Sequence, residues 1–91
     1  MRLYHGGVGD PTDMTLVPAE IKKGTYLSDN MNYVMSYARY KATYTMGVPF
    51  IITVDVDPSE VDIGRKGGSF YGTWYVLKRK PKAIPRIDFF R

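Results

Sequence analysis

Two short segments near the start of the chain place a histidine and a tyrosine where their side chains could take part in chemistry. His5, the single histidine, is followed by Gly6-Gly7, and an imidazole can exchange hydrogen bonds or a proton near neutral pH. Tyr26 lies in the run Gly24-Thr25-Tyr26-Leu27-Ser28, and a phenol ring can stack on a planar group. The alternatives are an ordinary surface histidine and a core tyrosine. Together the two segments predict a candidate ligand site.

Turn residues and apolar spacing predict the elements that must hold these side chains. Gly6-Gly7 and the turn-rich Gly9-Asp10-Pro11 stop the first strand, and Ser28 is a good N-cap for a helix with Asp29 in its first turn, where the charge meets the helix dipole. Residues 15–21 fit either a strand or one helical turn. The predicted elements are strands over residues 2–5, 25–27, 50–56, 71–77 and 85–90, and a helix over residues 29–43.

The predicted helix carries two stripes of large side chains. Apolar residues at helical spacing predict the face that packs on the sheet, namely Met31, Val34, Met35, Ala38 and Ala42. Tyrosines recur at the same spacing on the neighbouring stripe, namely Tyr33, Tyr37, Tyr40 and Tyr44. We expect these tyrosines to cover the helix flank and a sheet edge, with stacking on a base or ligand as the alternative.

Length and composition predict one small domain. The chain has 91 residues, 44% of them hydrophobic, which is enough for one globular core but not for two. It has no cysteine, which excludes disulfides, thiolate zinc ligands and a cysteine nucleophile. Several strands with one good helix predict an α+β domain over residues 1–91. The glycine-rich loop 64–69 is a weak phosphate-binding candidate, because no phosphate-binding glycine pattern accompanies it.

The net charge of +4 is unevenly distributed. Residues 65–91 carry eight basic residues against Asp88 alone, whereas residues 1–64 carry five basic against eight acidic. Such a bias usually marks a solvated face, but it also suits an anionic partner, whether nucleotide, nucleic acid or acidic protein. The basic residues we expect to meet such a partner are Arg65, Lys66, Lys78, Arg79, Lys80 and Lys82.

Several classes of site are not expected. No stretch is long and apolar enough for a membrane-spanning helix, so we expect no membrane partner and a soluble, cytoplasmic protein. Metal-binding histidine pairs and calcium-loop carboxylate spacing are both missing from the sequence, so we expect no metal.

The order of the motifs resembles the ADP-ribosyltransferase family. More closely, it resembles the diphtheria-toxin and poly(ADP-ribose) polymerase branch, whose sites use a His, Tyr, Glu set. The matching features span nearly the whole chain: a histidine ending the first strand, a Gly-Xaa-Tyr-Xaa-Ser strand, a helix with Tyr37-Ala38, a strand ending in Asp55-Val56-Asp57, and two last strands joined by Lys80-Pro81-Lys82-Ala83-Ile84. The resemblance implies a small split sheet, mixed or antiparallel, with one main helix, and NAD as the substrate.

The resemblance also implies roles for individual residues. His5 would hydrogen-bond the adenosine ribose of NAD, and the backbone of Gly6 would bind the nicotinamide carboxamide. Tyr26 would stack on the nicotinamide ring, with Tyr37 as a second stacking residue. Ser28 completes the tyrosine motif and is placed with the cofactor-binding residues.

The chain departs from the family at two positions. The family often has threonine or serine where Gly7 stands, and Trp74 occupies the position of the glutamate that opens a Glu-Tyr-Val-Val strand. Breaking the bond to nicotinamide passes through an oxocarbenium-like transition state, which a carboxylate stabilises. Relatives without the glutamate either transfer a single ADP-ribose or have lost activity, so no catalytic residue is assigned. The nearest acids in sequence lie on a different strand and turn: Asp55, Asp57, Glu60 and Asp62.

Three functions remain open at this point. The first is an NAD-dependent mono-ADP-ribosyltransferase that modifies a protein or nucleic-acid acceptor. The second is a catalytically inactive protein of the same fold that binds a partner or nucleotide, and its small size would suit a phage or mobile-element accessory protein. The third is a small basic module that binds nucleic acid through the C-terminal basic residues, with tyrosines stacking on bases.

Overall fold

A computed structural model describes residues 1–12, 21–66 and 72–91. The predictions for residues 15–20 and 67–69 lie outside this part of the chain. An α+β class with one main helix is confirmed, and the sheet is antiparallel throughout. The elements are β1 (Arg2–Gly9), β2 (Tyr26–Ser28), α1 (Met31–Thr45), β3 (Val48–Asp55), a 3₁₀ turn (Pro58–Glu60), β4 (Val61–Lys66), β5 (Thr73–Leu77) and β6 (Arg86–Phe89).

The six strands form one sheet in the order β4-β5-β2-β1-β3-β6. Strands β1 and β3 pair along their whole length, from Arg2 opposite Asp55 to Gly9 opposite Val48. Strands β1 and β2 are in register at one position, Tyr4 opposite Ser28. The sheet therefore consists of two halves, β1-β3-β6 and β2-β5-β4, which meet at that position and separate beyond it.

One face of the sheet carries the hydrophobic core. Strand β3 is rich in β-branched residues, which suits a buried strand, and its Phe50, Ile52 and Val54 point to this face with Leu3 and Leu27. Because side chains alternate along a strand, Ile51 points to the opposite face, where it is also buried. Both faces of β3 are thus covered, as the sequence predicts for a central strand.

Helix α1 packs on the second face, directly over Gly6. A Cβ atom at position 6 would lie 2.9 Å from both Val34 Cγ1 and the Val34 carbonyl oxygen, and 3.4 Å from Ala38 Cβ. Val34 and Ala38 are the buried residues of the helix. The glycine therefore lets the helix backbone approach the strand closely, and two members of the predicted apolar stripe make this contact.

The helix begins later than predicted. Its N-cap is Asn30, whose Oδ1 accepts a hydrogen bond from the Tyr33 N–H at 3.1 Å. Ser28 lies in β2 instead, opposite Trp74, because strand pairing outweighs its capping preference. Asp29 is outside the helix and its Oδ1 accepts from the Thr73 N–H at 2.8 Å. The carboxylate thus joins the helix entry to β5 rather than meeting the helix dipole.

Residues 64–66 belong to a strand and not to the predicted loop. They complete β4, an edge strand with a register shift between Ile63 and Arg65. Gly64 is the extra residue of this bulge, and a bulge commonly uses a glycine and re-aims the strand. The polar, glycine-containing sequence of β4 suits an exposed edge strand, which is why it gave no clear strand pattern.

Glu60 closes the 3₁₀ turn with a buried carboxylate, 3% exposed. Its Oε1 accepts from the Asp57 N–H at 2.8 Å and its Oε2 from the Lys82 N–H at 3.0 Å. The hydrogen bond from Asp57, followed by that from Lys82, lowers the pKa of Glu60 below its usual 4.5. The carboxylate thereby holds the segment after β5 against the turn before β4.

This carboxylate predicts a pH dependence of stability. Because the folded-state pKa is lowered, the stabilisation is present above pH 4.5 and is lost as the pH falls through the folded value. We expect Glu60→Gln to lower the free energy of unfolding at pH 7 and to flatten its decline below pH 4.5, measured by urea denaturation across pH. The control is Asp62→Asn at an exposed acid, and an equally steep acid decline in Glu60→Gln would contradict the assignment.

Candidate functional site

The helix-bearing face next to the split brings together most of the residues that the sequence singled out. Tyr4, Ser28 and Trp74 lie opposite one another across β1, β2 and β5. Gly6 is two residues from Tyr4 on the same face, and Tyr26 is two residues from Ser28, so both share this face. We call this region the split site and define it by Gly6, Tyr26, Ser28, Tyr33 and Trp74.

Tyr26 lies across the surface of the sheet. It is in register with Val76 on β5, yet a Cβ atom at Gly64 on β4 would lie 3.1 Å from Tyr26 Cε1. The ring therefore extends over β5 to the glycine of the bulge. Since 55% of the residue is exposed, it is not a core tyrosine, and its ring offers a flat aromatic surface to a ligand. Gly64 provides the room, a role that sequence analysis missed because the bulge is not visible in the pattern.

Trp74 occupies the predicted glutamate position and is already packed. It lies opposite Ser28, and its ring meets Tyr33 edge to face with centroids 5.7 Å apart and planes at 83°. Such an arrangement is favourable for aromatic pairs. Ser28 is fully buried, and its Oγ accepts from the Asn30 N–H at 3.1 Å. Ser28 therefore positions the helix entry, and Trp74 with Tyr33 closes this end of the split site.

Tyr37 lies on the side of α1 that faces the split site. It follows Tyr33 by four residues, and residues at that spacing are neighbours on one side of a helix. It is 46% exposed. Gly6, beneath the same helix, is enclosed by Val34 and Ala38, so its side-chain position is closed to a ligand and only its backbone is left for that role.

His5 points to the opposite face of the sheet from Tyr26. It alternates with Tyr4 and Gly6 along β1 and shares its face with Leu3. Its Nδ1 lies 3.0 Å from the carbonyl oxygen of Tyr26. A carbonyl only accepts, so Nδ1–H donates, and in the neutral ring the proton is on Nδ1. His5 thus connects the two halves of the sheet at the split, and the aromatic ring of Tyr26 and the imidazole emerge on different faces.

The acids that followed β3 in the sequence have structural partners. Asp55 Oδ1 lies 3.2 Å from Arg2 Nε, and Asp62 Oδ1 lies 3.4 Å from Lys78 Nζ. Asp57 caps the 3₁₀ turn, and hydrogen bonds from Ser59 lower its pKa. Among these acids, Asp62 is opposite Val76, which is itself opposite Tyr26 on the other neighbouring strand. Its strand, β4, is the one that the Tyr26 ring reaches at Gly64, but the Asp62 carboxylate is paired with Lys78.

The basic residues near the C-terminus are dispersed rather than clustered at the split site. Lys78 pairs with Asp62, and Arg79 Nη2 donates to Ser59 Oγ at 3.0 Å. Lys80 and Lys82 are exposed in the segment between β5 and β6. Arg65 and Lys66 end β4 in register with Trp74 and Thr73. Arg65 and Lys66 are therefore the C-terminal basic residues that lie nearest to the split site along the sheet.

A separate depression lies on the other side of α1, between the end of the helix and the start of β3. Arg39, Met46, Pro49 and Arg91 are among the residues that line it. Of its two arginines, Arg39 is already engaged, since its guanidinium lies 5.1 Å from the Phe90 ring centroid and its Nη2 donates to the Arg91 carbonyl at 3.4 Å. This depression is distinct from the split site and contains none of the predicted ligand residues.

Within residues 1–12, 21–66 and 72–91, there is no group of three or more histidine or acidic side chains placed to hold a metal ion. In the same part of the chain no helix is long and apolar enough to cross a membrane. Comparison with protein-family models, with curated proteins and with solved structures finds no match. The function must therefore be argued from the geometry of the split site itself.

Proposed function

We propose that this chain binds a nicotinamide dinucleotide at the split site and acts as a binding protein of ADP-ribosyltransferase-like fold rather than as a transferase. The observation that carries the proposal is the exposed Tyr26 ring, which reaches over β5 to Gly64 on the face that also carries Trp74. A planar nicotinamide or adenine ring can stack on such a surface. The backbone of Gly6 and the ring of Tyr37 border the same region.

The second half of the proposal follows from the charges at the site. Cleavage of the nicotinamide bond needs a carboxylate close to the developing oxocarbenium ion. The resemblance assigns that position to Trp74, whose apolar ring packs on Tyr33. Asp62 is on the same face, but it is paired with Lys78 and lies on the far side of β5. The described site therefore offers stacking surfaces without the acid.

Tyr26→Ala tests the binding step. Loss of a stacking ring weakens binding by about 1–3 kcal/mol per base, so we expect the Kd for NAD to rise about tenfold. Isothermal titration calorimetry with NAD measures this directly, and Trp74, the single tryptophan, provides an independent fluorescence signal in the site. Tyr44→Ala, which removes an exposed ring elsewhere on the helix, is the matched control and should bind as the wild type does.

The same titrations distinguish the alternatives. Release of nicotinamide by the wild type, abolished by Tyr26→Ala, would establish a transferase or glycohydrolase and overturn the binding-only proposal. Failure of the folded wild type to bind NAD at millimolar concentration would remove the dinucleotide altogether. Binding of NAD that Tyr26→Ala leaves unchanged would place the ligand elsewhere on the protein.

A further inference from the structure

Helix α1 carries a row of exposed tyrosines that begins at Tyr37, next to the split site, and continues toward the end of the helix. Tyr37, Tyr40 and Tyr44 are 46%, 68% and 65% exposed, so a large part of each side chain is open to solvent. Exposed aromatic rings concentrated on one surface usually mark a binding site. Lys41 lies within the same row, four residues after Tyr37 and three before Tyr44. We call these four residues the tyrosine stripe.

The geometry of the stripe suits a flexible single strand, whose unstacked bases can turn to meet rings that face different directions. Tyr40 and Tyr44 meet edge to face with centroids 5.4 Å apart and planes at 79°, which turns their faces in different directions. At a rise of about 1.5 Å per residue, the stripe extends about 10 Å along the helix axis. That length matches two or three successive nucleotides of a single strand, each of which offers one planar base.

The charge of the helix selects the same kind of partner. Lys41 lies in the stripe, and helix α1 contains no acidic residue to offset its charge. The whole chain has a net charge of +4 and a pI near 9.4. An anionic ligand is therefore favoured at the stripe, and the Lys41 ammonium can reach a phosphate while the tyrosines stack on bases.

We propose that the tyrosine stripe binds single-stranded nucleic acid, with Tyr37, Tyr40 and Tyr44 stacking on bases and Lys41 contacting the backbone. A second copy of this chain is disfavoured as the occupant, because a symmetric contact would bring the Lys41 cations of both copies together. An acidic protein would satisfy the charge but would leave the exposed phenol faces without planar partners. The inference does not depend on dinucleotide binding at the split site.

Fluorescence anisotropy with a labelled twelve-residue oligothymidylate tests the proposal. With one phosphate neutralised by Lys41, affinity should fall about two- to threefold between 50 and 200 mM salt, because a single strand gives a slope of about 0.7 per phosphate. Tyr40→Ala should weaken binding about fivefold or more, whereas Tyr40→Phe should retain it, since the ring does the stacking. Lys41→Gln should lower the salt slope by about 0.7.

Matched variants separate this surface from the others. Ile84→Ala, at a residue that is 92% exposed between β5 and β6, should bind as the wild type does. Lys80→Gln removes the same charge as Lys41→Gln from the C-terminal basic segment and should leave the salt slope unchanged. Tyr26→Ala should not affect oligonucleotide binding, and Tyr40→Ala should not affect NAD binding, so the two proposals can fail independently.

Five outcomes would overturn the inference. They are no binding at 50 mM salt, equal affinity for duplex DNA of the same length, equal competition by polyglutamate, loss of the salt slope in Lys80→Gln but not in Lys41→Gln, and a dimer in sedimentation that Tyr40→Ala dissociates. Equal affinity for duplex DNA would show that the protein recognises only the charge of the nucleic acid. The third and the last would assign the stripe to an acidic protein or to a second copy.

Discussion

Trp74→Glu is expected to turn the proposed NAD-binding site into one that releases nicotinamide. A preorganised charged or polar group at a transition state is worth about 10²–10³ in rate, so we expect release about a hundredfold above that of the wild type. The new carboxylate would stand opposite Ser28 on the same face as Tyr26. Chromatographic detection of nicotinamide measures the effect without depending on the lost tryptophan fluorescence.

The expected gain in nicotinamide release comes from the negative charge that Trp74→Glu adds to the site. The Trp74 indole meets Tyr33 edge to face and adds no charge to the site, whereas an oxocarbenium-like transition state gains positive charge as the nicotinamide leaves. Removing the indole also costs the aromatic contact, worth about 0.5–1.5 kcal/mol. We therefore expect a somewhat less stable variant that retains the fold, which circular dichroism and urea denaturation would check.

Trp74→Gln is the matched control, because it has nearly the same shape as Trp74→Glu and lacks the charge. It should release nicotinamide no faster than the wild type. Adding Tyr26→Ala to Trp74→Glu should abolish the gain, since the substrate is no longer held. If a folded Trp74→Glu binds NAD but releases nicotinamide only as fast as Trp74→Gln, then Trp74 does not occupy the position of the catalytic acid.

The elements that depend on local pattern could be predicted from the sequence. The β-branched run of β3 and the apolar spacing of α1 predicted an interior strand and the helix, because both patterns reflect burial against the sheet or its core. The start of the helix was misplaced by two residues. Ser28 and Asn30 are both good N-caps, and the choice between them depends on the pairing of Ser28 with β5, a contact distant in sequence.

The arrangement of the candidate site was only partly predictable. Because side chains alternate along a strand, the sequence predicts that His5 and Gly6 lie on opposite faces of the sheet, as do Ser28 and Leu27. It does not predict which of the two faces the helix covers. The structure places Tyr26, Ser28 and Trp74 on the helix-bearing face and His5 on the other. The exposure of the tyrosine stripe also depends on how α1 rotates over Gly6, which is set by the close approach of Val34 and Ala38.

Gly7 shows how a departure from a family pattern can have a structural cause. The ADP-ribosyltransferase family, which the sequence resembles, often has threonine or serine at this position, and the resemblance would place that side chain near the nicotinamide. In this chain Gly7 points to the core face, away from Tyr26, and is opposite Phe50. A Cβ atom at position 7 would lie 2.5 Å from Phe50 Cζ, closer than side chains pack. Phe50 is itself buried and meets Phe89 edge to face at 5.6 Å, so it has little room to move.

Gly7→Ser is therefore expected to destabilise the protein, and not to restore a contact with the ligand. Overpacking of a well-packed core costs about 1–3 kcal/mol, and the added hydroxyl would be buried as well, so we expect a loss near the upper end of this range. Urea denaturation measures the free energy of unfolding. Gly9→Ser, on the same strand and the same face, is the matched control, because a Cβ there would lie 3.4 Å from the nearest ring atom of Phe50.

A double-mutant cycle with Phe50→Leu tests whether Phe50 causes the destabilisation by Gly7→Ser. The smaller side chain loses buried ring atoms and costs stability alone, but it opens the space that a serine side chain at position 7 would need. The double variant should therefore be more stable than the sum of the single losses predicts, with a coupling energy of about 0.5–3 kcal/mol. Strict additivity would show that Phe50 does not set the requirement for glycine. A Gly7→Ser variant with unchanged stability and tighter NAD binding would instead place residue 7 at the ligand, as the resemblance implies.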